Sequence, residues 1–214
     1  MTTQQGIKKR NALRFLSPRL WFSFLGHALR RLDAQVFGVD YSQYHRILRQ
    51  KVLAGGCDSL LDVGCGECSP VAHFASEVRY RVGVDTHLPS IERSRIAGIH
   101  SDYVVANIRE IGEIFPARSF DCVTPLEVIE HLSRAEGEKI LEQCERIARV
   151  KVVVSTPNGF VLQPPTVDNP FQEHISGWTA EEFRGRGYEV IGTAGWKHLR
   201  GAIDASQMAA VRYL

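Results

Sequence analysis

Short apolar runs alternate along the chain with longer segments in which apolar residues recur every three or four positions. The runs are rich in valine, isoleucine and leucine and are bounded by glycine, proline or polar clusters, which is typical of strands. They predict strands near 58–64, 79–85, 102–106, 120–125, 151–155 and 188–193, and 208–213 is compatible with a seventh. The alternation of strands with helices predicts an α/β fold with a doubly wound, mostly parallel sheet.

Capping signals locate the clearest helices. Ser133 and Glu136 have the spacing of a capping box, and Thr179 and Glu182 repeat it. In a capping box the side chain of each residue binds the backbone N–H of the other. The first of these helices has one apolar face, which consists of Ile140, Leu141, Cys144, Ile147 and Ala148. The second helix is predicted to be short and to end near 185–187, where two glycines occur.

The charge distribution divides the chain into a basic arm over 1–40 and a domain over 41–214, which begins with an amphipathic helix over 41–53. Residues 1–32 contain seven Lys or Arg and no acid, whereas the remainder has 19 basic and 24 acidic residues, a balance of −5. Arginines flank an apolar stripe in the arm, so the arm is predicted to be a helical N-terminal extension. Two interpretations remain open: packing on its own domain, as such stripes more often do, and docking on an anionic membrane surface or a partner.

Composition sets the broad class of the protein. At 214 residues, with 44% hydrophobic and 23% charged residues, the chain suits one soluble domain plus a modest extension. The net charge of +2 predicts no nucleic-acid partner. Pro18 and Arg19 interrupt the first apolar run, so no secretory signal is identified, and no run reaches the ~18 residues of a membrane-spanning helix. The odd number of cysteines, five, favours a reducing, cytoplasmic setting, with peripheral membrane contact only through the arm.

The segment LLDVGCGECSP has the pattern of a strand, a glycine-containing loop and a helix start. Gly64 and Gly66 lack a Cβ, so the backbone there can turn sharply and approach a ligand closely. Ser69 and Pro70 suit the N-cap and the first position of the helix. About twenty residues later a second strand ends in Asp85, which is the spacing at which a carboxylate binds a ribose diol. These features predict an adenosine-containing cofactor.

Four motifs occur in the order LLDVGCG, GVD, SFDCV and EVIEHL. In order and spacing they resemble the class I S-adenosylmethionine-dependent methyltransferases, over roughly residues 57–195. A dinucleotide-binding loop would need a third glycine where Ser69 stands, and the methyltransferase family often has a third glycine where Cys68 stands. The resemblance implies a Rossmann-like fold, S-adenosyl-L-methionine as the cofactor, and an enzyme that transfers a methyl group.

The resemblance also assigns cofactor-binding residues by position. They are Asp62, Gly64, Cys65, Gly66, Asp85, Asn107, Ile108 and Leu126. The loop residues 64–66 would lie along the methionine part, Asp62 would order the loop or contact the amino group, and Asp85 would accept from both ribose hydroxyls. Asn107 stands where the family commonly has an acid that contacts adenine, and a plain turn asparagine is an equal alternative. Leu126 would face the sulfonium end.

The acceptor side is predicted from residues 169–178, NPFQEHISGW, which resemble an H-x-x-x-W segment that lines the acceptor pocket of some small-molecule methyltransferases. Histidine is the side chain best suited to take a hydroxyl proton near neutral pH. His174 is therefore the candidate base, and Glu173 is the alternative or the orienting group. A histidine that only fixes the loop is the other interpretation. The residues expected to line the acceptor pocket, each with packing as an alternative, are His131, Trp178 and Tyr44.

The predicted function is methyl transfer to a small molecule, most readily to a hydroxyl oxygen, with a saccharide, a lipid-linked intermediate or a secondary metabolite as the acceptor. The DNPPY-type signature of amino-group methylation is missing after the fourth strand, which argues against nucleic-acid amino groups. Two alternatives stay open: an NAD-dependent oxidoreductase and a non-catalytic, cofactor-binding or membrane-docked subunit. We expect no metal, because the Cys65-x-x-Cys68 pair has no second pair to complete a zinc site and Asp168–Asn169 alone is too little for magnesium.

Overall fold

The computed structural model describes residues 41–194 and 207–214, with the backbone alone described at 41, 42, 193 and 194. The predicted arm over 1–40 lies outside the described residues, so its helical extension and its docking stay predictions. None of the described helices is long and apolar enough to cross a membrane.

A single sheet dominates the described part of the chain. Its strands are β1 (Ser59–Val63), β2 (Tyr80–Asp85), β3 (Asp102–Val105), β4 (Phe120–Pro125), β5 (Ala148–Pro157), β6 (Glu189–Ala194) and β7 (Gln207–Tyr213). They lie in the order β3-β2-β1-β4-β5-β7-β6. The first five strands pair in parallel, and β7 pairs antiparallel with both β5 and β6. The predicted α/β class with a mostly parallel, doubly wound sheet is confirmed.

Most predicted strands agree with the structure to within two residues, and the fifth is the exception. β5 extends beyond the predicted 151–155 at both ends, over Ala148–Pro157. It lies between β4 and β7, and it pairs with β7 continuously from Lys151 to Pro157. β5 therefore extends beyond its apolar run because it pairs with a neighbouring strand on each side.

The helices are α1 (Tyr41–Leu53), α2 (Leu88–Ala97), α3 (Ile111–Ile114), α4 (Arg134–Ile147) and α5 (Ala180–Gly185). Short 3-10 turns lie at Pro70–His73, Ala75–Glu77, Ile108–Glu110, Ile129–His131 and Pro170–Gln172. Both predicted capping boxes are present, at the starts of α4 and α5. Ser69 caps the turn after the glycine loop as predicted, but two short 3-10 turns, the first over Pro70–His73, follow instead of an α-helix. The first turn ends at Phe74, where φ is −142°, and this break allows Phe74 to be buried.

Two apolar clusters cover the two faces of the sheet. Successive residues of a strand point to opposite faces, so Leu60 belongs to one cluster and Leu61 to the other. The cluster that contains Leu60 packs against Leu48 and Val52 of α1. The cluster that contains Leu61 packs against the predicted apolar face of α4. Both faces are therefore buried, which leaves the ends of the strands as the places where ligands can bind.

The topology selects one of those ends. The chain runs outward from β1 through β2 to β3 and then returns to β4 on the other side of β1, so the strand order reverses between β1 and β4. In open α/β sheets ligands bind beyond the carboxyl ends of the strands at such a reversal. The glycine loop follows β1, Asp85 ends β2, and Leu126 follows β4. Most of the predicted site residues therefore meet at one edge of the sheet.

Candidate active site

The glycine loop after β1 has the left-handed backbone that its sequence suggests. Gly64 has φ 71° and Gly66 has φ 53°, a region that side-chain-bearing residues rarely adopt. The N–H of Gly64 donates to Val84 O at 2.7 Å, and a Cβ at this position would lie 2.6 Å from Val128 Cγ2. A Cβ on Gly66 would meet none of the described atoms within 4 Å. Gly64 is thus fixed by close packing, whereas Gly66 borders open space.

Asp85 lies directly beside this loop. Its Oδ2 accepts from the N–H of Gly66 at 2.8 Å, and its Oδ1 accepts from the N–H of His87 at 2.8 Å. Each carboxylate oxygen has two lone pairs, so each can accept one further hydrogen bond after these two are made. The open side of Gly66 and an anchored carboxylate therefore share one location.

Asp62 is buried beneath the loop and makes three hydrogen bonds. Its Oδ2 accepts from Ser69 Oγ at 2.5 Å and lies 2.9 Å from His100 Nε2, while Thr124 Oγ1 is 3.4 Å from Oδ1. Asp62 is only 1% exposed. Of the two roles left open for this residue, ordering the loop is the one that these contacts support. Sequence analysis did not identify His100, which stands alone before β3 with no motif around it.

The two cysteines of the loop have different surroundings. Cys65 is buried, and burial together with the charge of Asp62 raises the pKa of its thiol. Cys68 is exposed, and none of the cysteines, which all lie within the described residues, is in a disulfide. A thiol with a raised pKa is a poor nucleophile and a poor metal ligand, so these contacts give no support to redox chemistry.

Asn107 caps the 3-10 turn Ile108–Glu110. Its Oδ1 accepts from the N–H of Arg109 at 3.1 Å, and its Nδ2 donates to Glu110 Oε1 at 3.2 Å. Ile108 packs against the apolar cluster around Leu61. The local capping role is the alternative that sequence analysis allowed for Asn107, and the contact with adenine stays a prediction for both residues.

The segment after β4 carries a buried polar network. Leu126 is 4% exposed and packs in the cluster around Leu60. Glu127 has φ 56°, and its Oε1 accepts from Ser155 Oγ at 2.7 Å and from Gln207 Nε2 at 2.5 Å. The hydroxyl of Tyr44 donates to the same oxygen at 3.3 Å. Burial raises the pKa of Glu127, and these hydrogen bonds act in the opposite direction.

Glu130 and His131 lie in the 3-10 turn that follows. Glu130 is 2% exposed, its Oε2 accepts from Thr156 Oγ1 at 2.9 Å, and its Oε1 has no hydrogen-bond partner among the described residues. The carbonyl of Glu130 accepts from the N–H groups of Ile175 at 2.9 Å and Ser176 at 3.1 Å. These backbone bonds fasten the loop after β5, residues 158–178, onto the turn.

The same loop brings His174 to His131. The two ring centroids are 4.7 Å apart. Nδ1 of His131 lies 2.9 Å from the carbonyl oxygen of Glu173, and Nδ1 of His174 lies 2.8 Å from that of Val161. A carbonyl only accepts, so the Nδ1 atoms of both rings carry a proton. Burial lowers the pKa of His131, which keeps its ring neutral at neutral pH.

The remaining predicted acceptor residues lie around this pair. Glu173 is exposed, and its contact with His131 comes from its main chain. Trp178 is 1% exposed, belongs to the core cluster, and donates through Nε1 to Ile129 O at 3.3 Å. Tyr44 is buried, and its ring packs in the cluster that contains Leu60. For Trp178 and Tyr44 these positions correspond to the packing alternative.

Comparisons with known proteins agree with this arrangement. The family model described as "Methyltransferase domain" matches residues 61–154. A ubiquinone biosynthesis O-methyltransferase from Hahella chejuensis is 32% identical over 94 residues, which are 42% of this chain and 38% of that protein. One from Bradyrhizobium diazoefficiens is 30% identical over 125 residues, which are 54% of this chain and 46% of that protein. The chain thus spans less than half the length of these curated relatives.

The likeness of fold extends further along the chain. The crystal structure of an S-adenosylmethionine-dependent methyltransferase from Archaeoglobus fulgidus superposes with a TM-score of 0.58 at 16% identity, over 79% of this chain and 94% of that one. Residues 61–154 thus match the methyltransferase family, and the described residues have the fold of the class I S-adenosylmethionine-dependent methyltransferases. These findings support S-adenosyl-L-methionine as the cofactor, and they do not support an NAD-dependent oxidoreductase.

The described residues fit this cofactor in two respects. Open space borders Gly66, where a side chain would fill it, and the neighbouring Asp85 carboxylate has unused acceptor capacity on both oxygens. A class I methyltransferase must also leave the methyl group open to an acceptor. The polar groups nearest the end of β4 are Glu127, Glu130 and His131, and the loop 158–178 adds His174.

Proposed function

We propose that the protein transfers the methyl group of S-adenosylmethionine to a hydroxyl oxygen of a small-molecule acceptor. The observation that carries the proposal is the position of the histidine pair: His131 follows β4 at the end of the sheet where the glycine loop and Asp85 also lie, and its ring centroid is 4.7 Å from that of His174. A carboxylate suited to bind ribose and two imidazoles thus occupy one region at the end of the sheet.

On the cofactor side, Asp85 would accept hydrogen bonds from the two ribose hydroxyls. The backbone of Gly64, Cys65 and Gly66 would lie along the methionine part, with Asp62 holding the loop from below. Asn107 and Ile108 would border the adenine, and Leu126 would pack behind the sulfonium end. The support for these roles is the shared location of Gly66 and Asp85 and the anchoring of each oxygen of Asp85 by a backbone N–H.

On the acceptor side, His174 would act as the base. Its Nδ1–H is directed at Val161 O, so Nε2 is the nitrogen that would take the proton. The acceptor hydroxyl gives its proton to Nε2 while its oxygen attacks the methyl carbon. The carbon–sulfur bond breaks, and sulfur keeps the electron pair and becomes a neutral thioether. Alignment of the oxygen with the S–CH₃ bond supplies most of the effect, since orientation alone can be worth ~7–11 kcal/mol.

The choice of oxygen and of a small molecule draws on the curated relatives, whose names state ubiquinone biosynthesis and O-methylation. We therefore place a hydroxylated aromatic compound before amines among the acceptors to be tested. A saccharide or lipid-linked acceptor has no support from these relatives, and contact of the arm with a membrane stays a prediction.

The test is a methyl-transfer assay with isotopically labelled S-adenosylmethionine over panels of catechols, aliphatic alcohols, primary amines and RNA. We expect labelled methyl ethers from a hydroxylated compound. For His174→Ala we expect kcat to fall by ~10²-fold or more, because a general base contributes typically 10²–10⁴, with the Kd for S-adenosylmethionine unchanged. His73→Ala, which removes an exposed imidazole elsewhere, is the control and should retain the wild-type rate.

Three results would contradict the proposal. Transfer to amine nitrogen or to RNA would refute the small-molecule hydroxyl acceptor. Tight binding of S-adenosylmethionine without transfer to any panel member would favour the non-catalytic, cofactor-binding alternative. A wild-type rate in His174→Ala would remove His174 from the reaction.

A further inference from the structure

We propose that Glu130, His131 and His174 form a binding site for one divalent first-row transition-metal ion. Each residue offers one ligand atom, and these atoms all lie within 4.8 Å of one another. Zinc binds imidazole nitrogen and carboxylate oxygen at about 2.0–2.2 Å in tetrahedral geometry, so two ligands of one ion lie about 3.3–3.6 Å apart. To bind an ion, the ligand atoms of the cluster therefore need to approach one another by at most about 1.5 Å.

The Glu130 carboxylate is the first independent reason for a cation here. It is 2% exposed, and its Oε1 has no hydrogen-bond partner among the described residues. Leaving a buried polar oxygen unpaired costs ~1–3 kcal/mol, and more when the group is charged. Glu127, a second acid, lies close enough to act on Glu130 electrostatically. A bound cation would satisfy the unpaired oxygen and offset the repulsion between the two acids.

The orientation of the imidazoles is the second reason. His131 and His174 each direct Nδ1 at a main-chain carbonyl, of Glu173 and Val161 respectively, at 2.9 and 2.8 Å. Histidines that ligate metals almost always donate the other ring N–H to a carboxylate, a carbonyl or water, which fixes the ring and the tautomer. Both carbonyls belong to the loop 158–178, so one segment holds both rings.

The ligand set selects the kind of ion. Two imidazole nitrogens with one carboxylate suit zinc, manganese, cobalt or ferrous iron, whereas magnesium and calcium take oxygen ligands. Three protein ligands leave at least one coordination position open, as in catalytic rather than structural sites. Sequence analysis considered only Cys65, Cys68 and the Asp168–Asn169 pair as metal ligands. It did not identify the cluster of Glu130 with the two histidines, because His174 is 43 positions from His131 in the sequence.

The open coordination position would give the ion a role in methyl transfer, and this step rests on the proposed function. An acceptor hydroxyl bound to the ion would lose its proton to water more readily than in solution, because a bound cation lowers the pKa of an oxygen ligand. Its oxygen would then attack the methyl carbon as the carbon–sulfur bond breaks. With the ion present, His174 would be a ligand, and the ion instead of the imidazole would activate the hydroxyl.

The site is tested without cofactor or acceptor. Protein freed of metal with EDTA is titrated with Co²⁺, followed by visible absorption, and with Zn²⁺, followed by calorimetry. We expect one ion per chain in the wild type and in His73→Gln, a control at an exposed histidine. We expect at least tenfold weaker binding in Glu130→Gln and in His174→Gln. Glu130→Gln keeps the shape of the side chain and removes its charge, so circular dichroism should show an unchanged fold.

A wild type that binds neither ion with a Kd below ~1 mM would overturn the site, and so would variants that bind as well as the wild type. If the variants fail to fold, Mn²⁺ added to ¹⁵N-labelled wild type decides: broadening centred on 129–131 and 173–175 supports the site, and broadening elsewhere refutes it. A failed site with intact methyl transfer returns the role of base to His174. A confirmed site without methyl transfer refutes the proposed function alone.

Discussion

Asp85→Asn tests the assignment of the cofactor edge most directly. The substitution keeps the size of the side chain but removes its charge and one of its two acceptor atoms. In the structure each carboxylate oxygen already accepts one backbone N–H, from Gly66 or from His87. The ribose would use the remaining lone pairs. The variant therefore loses at least one charge-assisted hydrogen bond to the cofactor.

The expected magnitude follows from that count. A hydrogen bond to a charged group contributes ~1.5–3 kcal/mol, and each 1.4 kcal/mol is about a tenfold change in Kd. The Kd for S-adenosylmethionine should rise ~10- to 150-fold, as measured by isothermal titration calorimetry. The fold should be little affected, because Asp85 is half-buried and water can replace one lost backbone contact. At ~1 kcal/mol the fall in Tm would be ~2–4 °C for a chain of this size.

The matched control is Glu67→Gln, which neutralises an exposed acid of the same loop that pairs with Arg93. It should change the Kd less than twofold, since surface ion pairs contribute little. An unchanged Kd in Asp85→Asn would refute the ribose assignment. An equal loss in both variants would show that only the net charge of the loop matters, and the geometric argument would be wrong.

Two further predictions concern stability, both measured by urea unfolding without cofactor. Gly64→Ala should lower the free energy of unfolding by ~2–4 kcal/mol, because its φ of 71° is left-handed and its Cβ would lie 2.6 Å from Val128 Cγ2. Gly66→Ala, with φ 53° and open space, should lower it by only ~1–2 kcal/mol. Equal losses would contradict the packing argument. Glu136→Gln should lose ~0.3–1 kcal/mol at pH 7, since it keeps the shape of the capping-box side chain but removes the charge that pairs with Arg109 in the first turn of α4. Arg109, and then Ser133, lower the folded-state pKa of Glu136 to about 2. The difference in stability between variant and wild type should therefore be complete above the unfolded pKa of about 4.3 and vanish as the pH falls through about 2. A difference in stability that persists below pH 2 would refute this assignment.

What could be predicted from the sequence is what depends on neighbours along the chain. The capping boxes at Ser133 and Thr179 need partners only three residues away, and both are present. The strands follow from apolar runs that lie within single segments. The glycine loop and Asp85 belong to one strand–loop–strand unit, and the Gly66 N–H donates to Asp85 over 19 positions. The contacts that were missed join segments much further apart, such as Asp62 with His100 and Glu127 with Gln207.

Residue types are least informative where the main chain makes the contact instead of the side chain. Glu173 is singled out by its carboxylate, yet that residue is exposed and its carbonyl orients His131. His174 is likewise held by the carbonyl of Val161, a residue with no chemical signal of its own. A carbonyl is common to every residue, so no pattern of residue types can encode which one will point at an imidazole. The fold of the loop 158–178 onto the turn at Glu130 sets the carbonyl to which each Nδ1 points, and the proposed base or metal chemistry depends on that orientation.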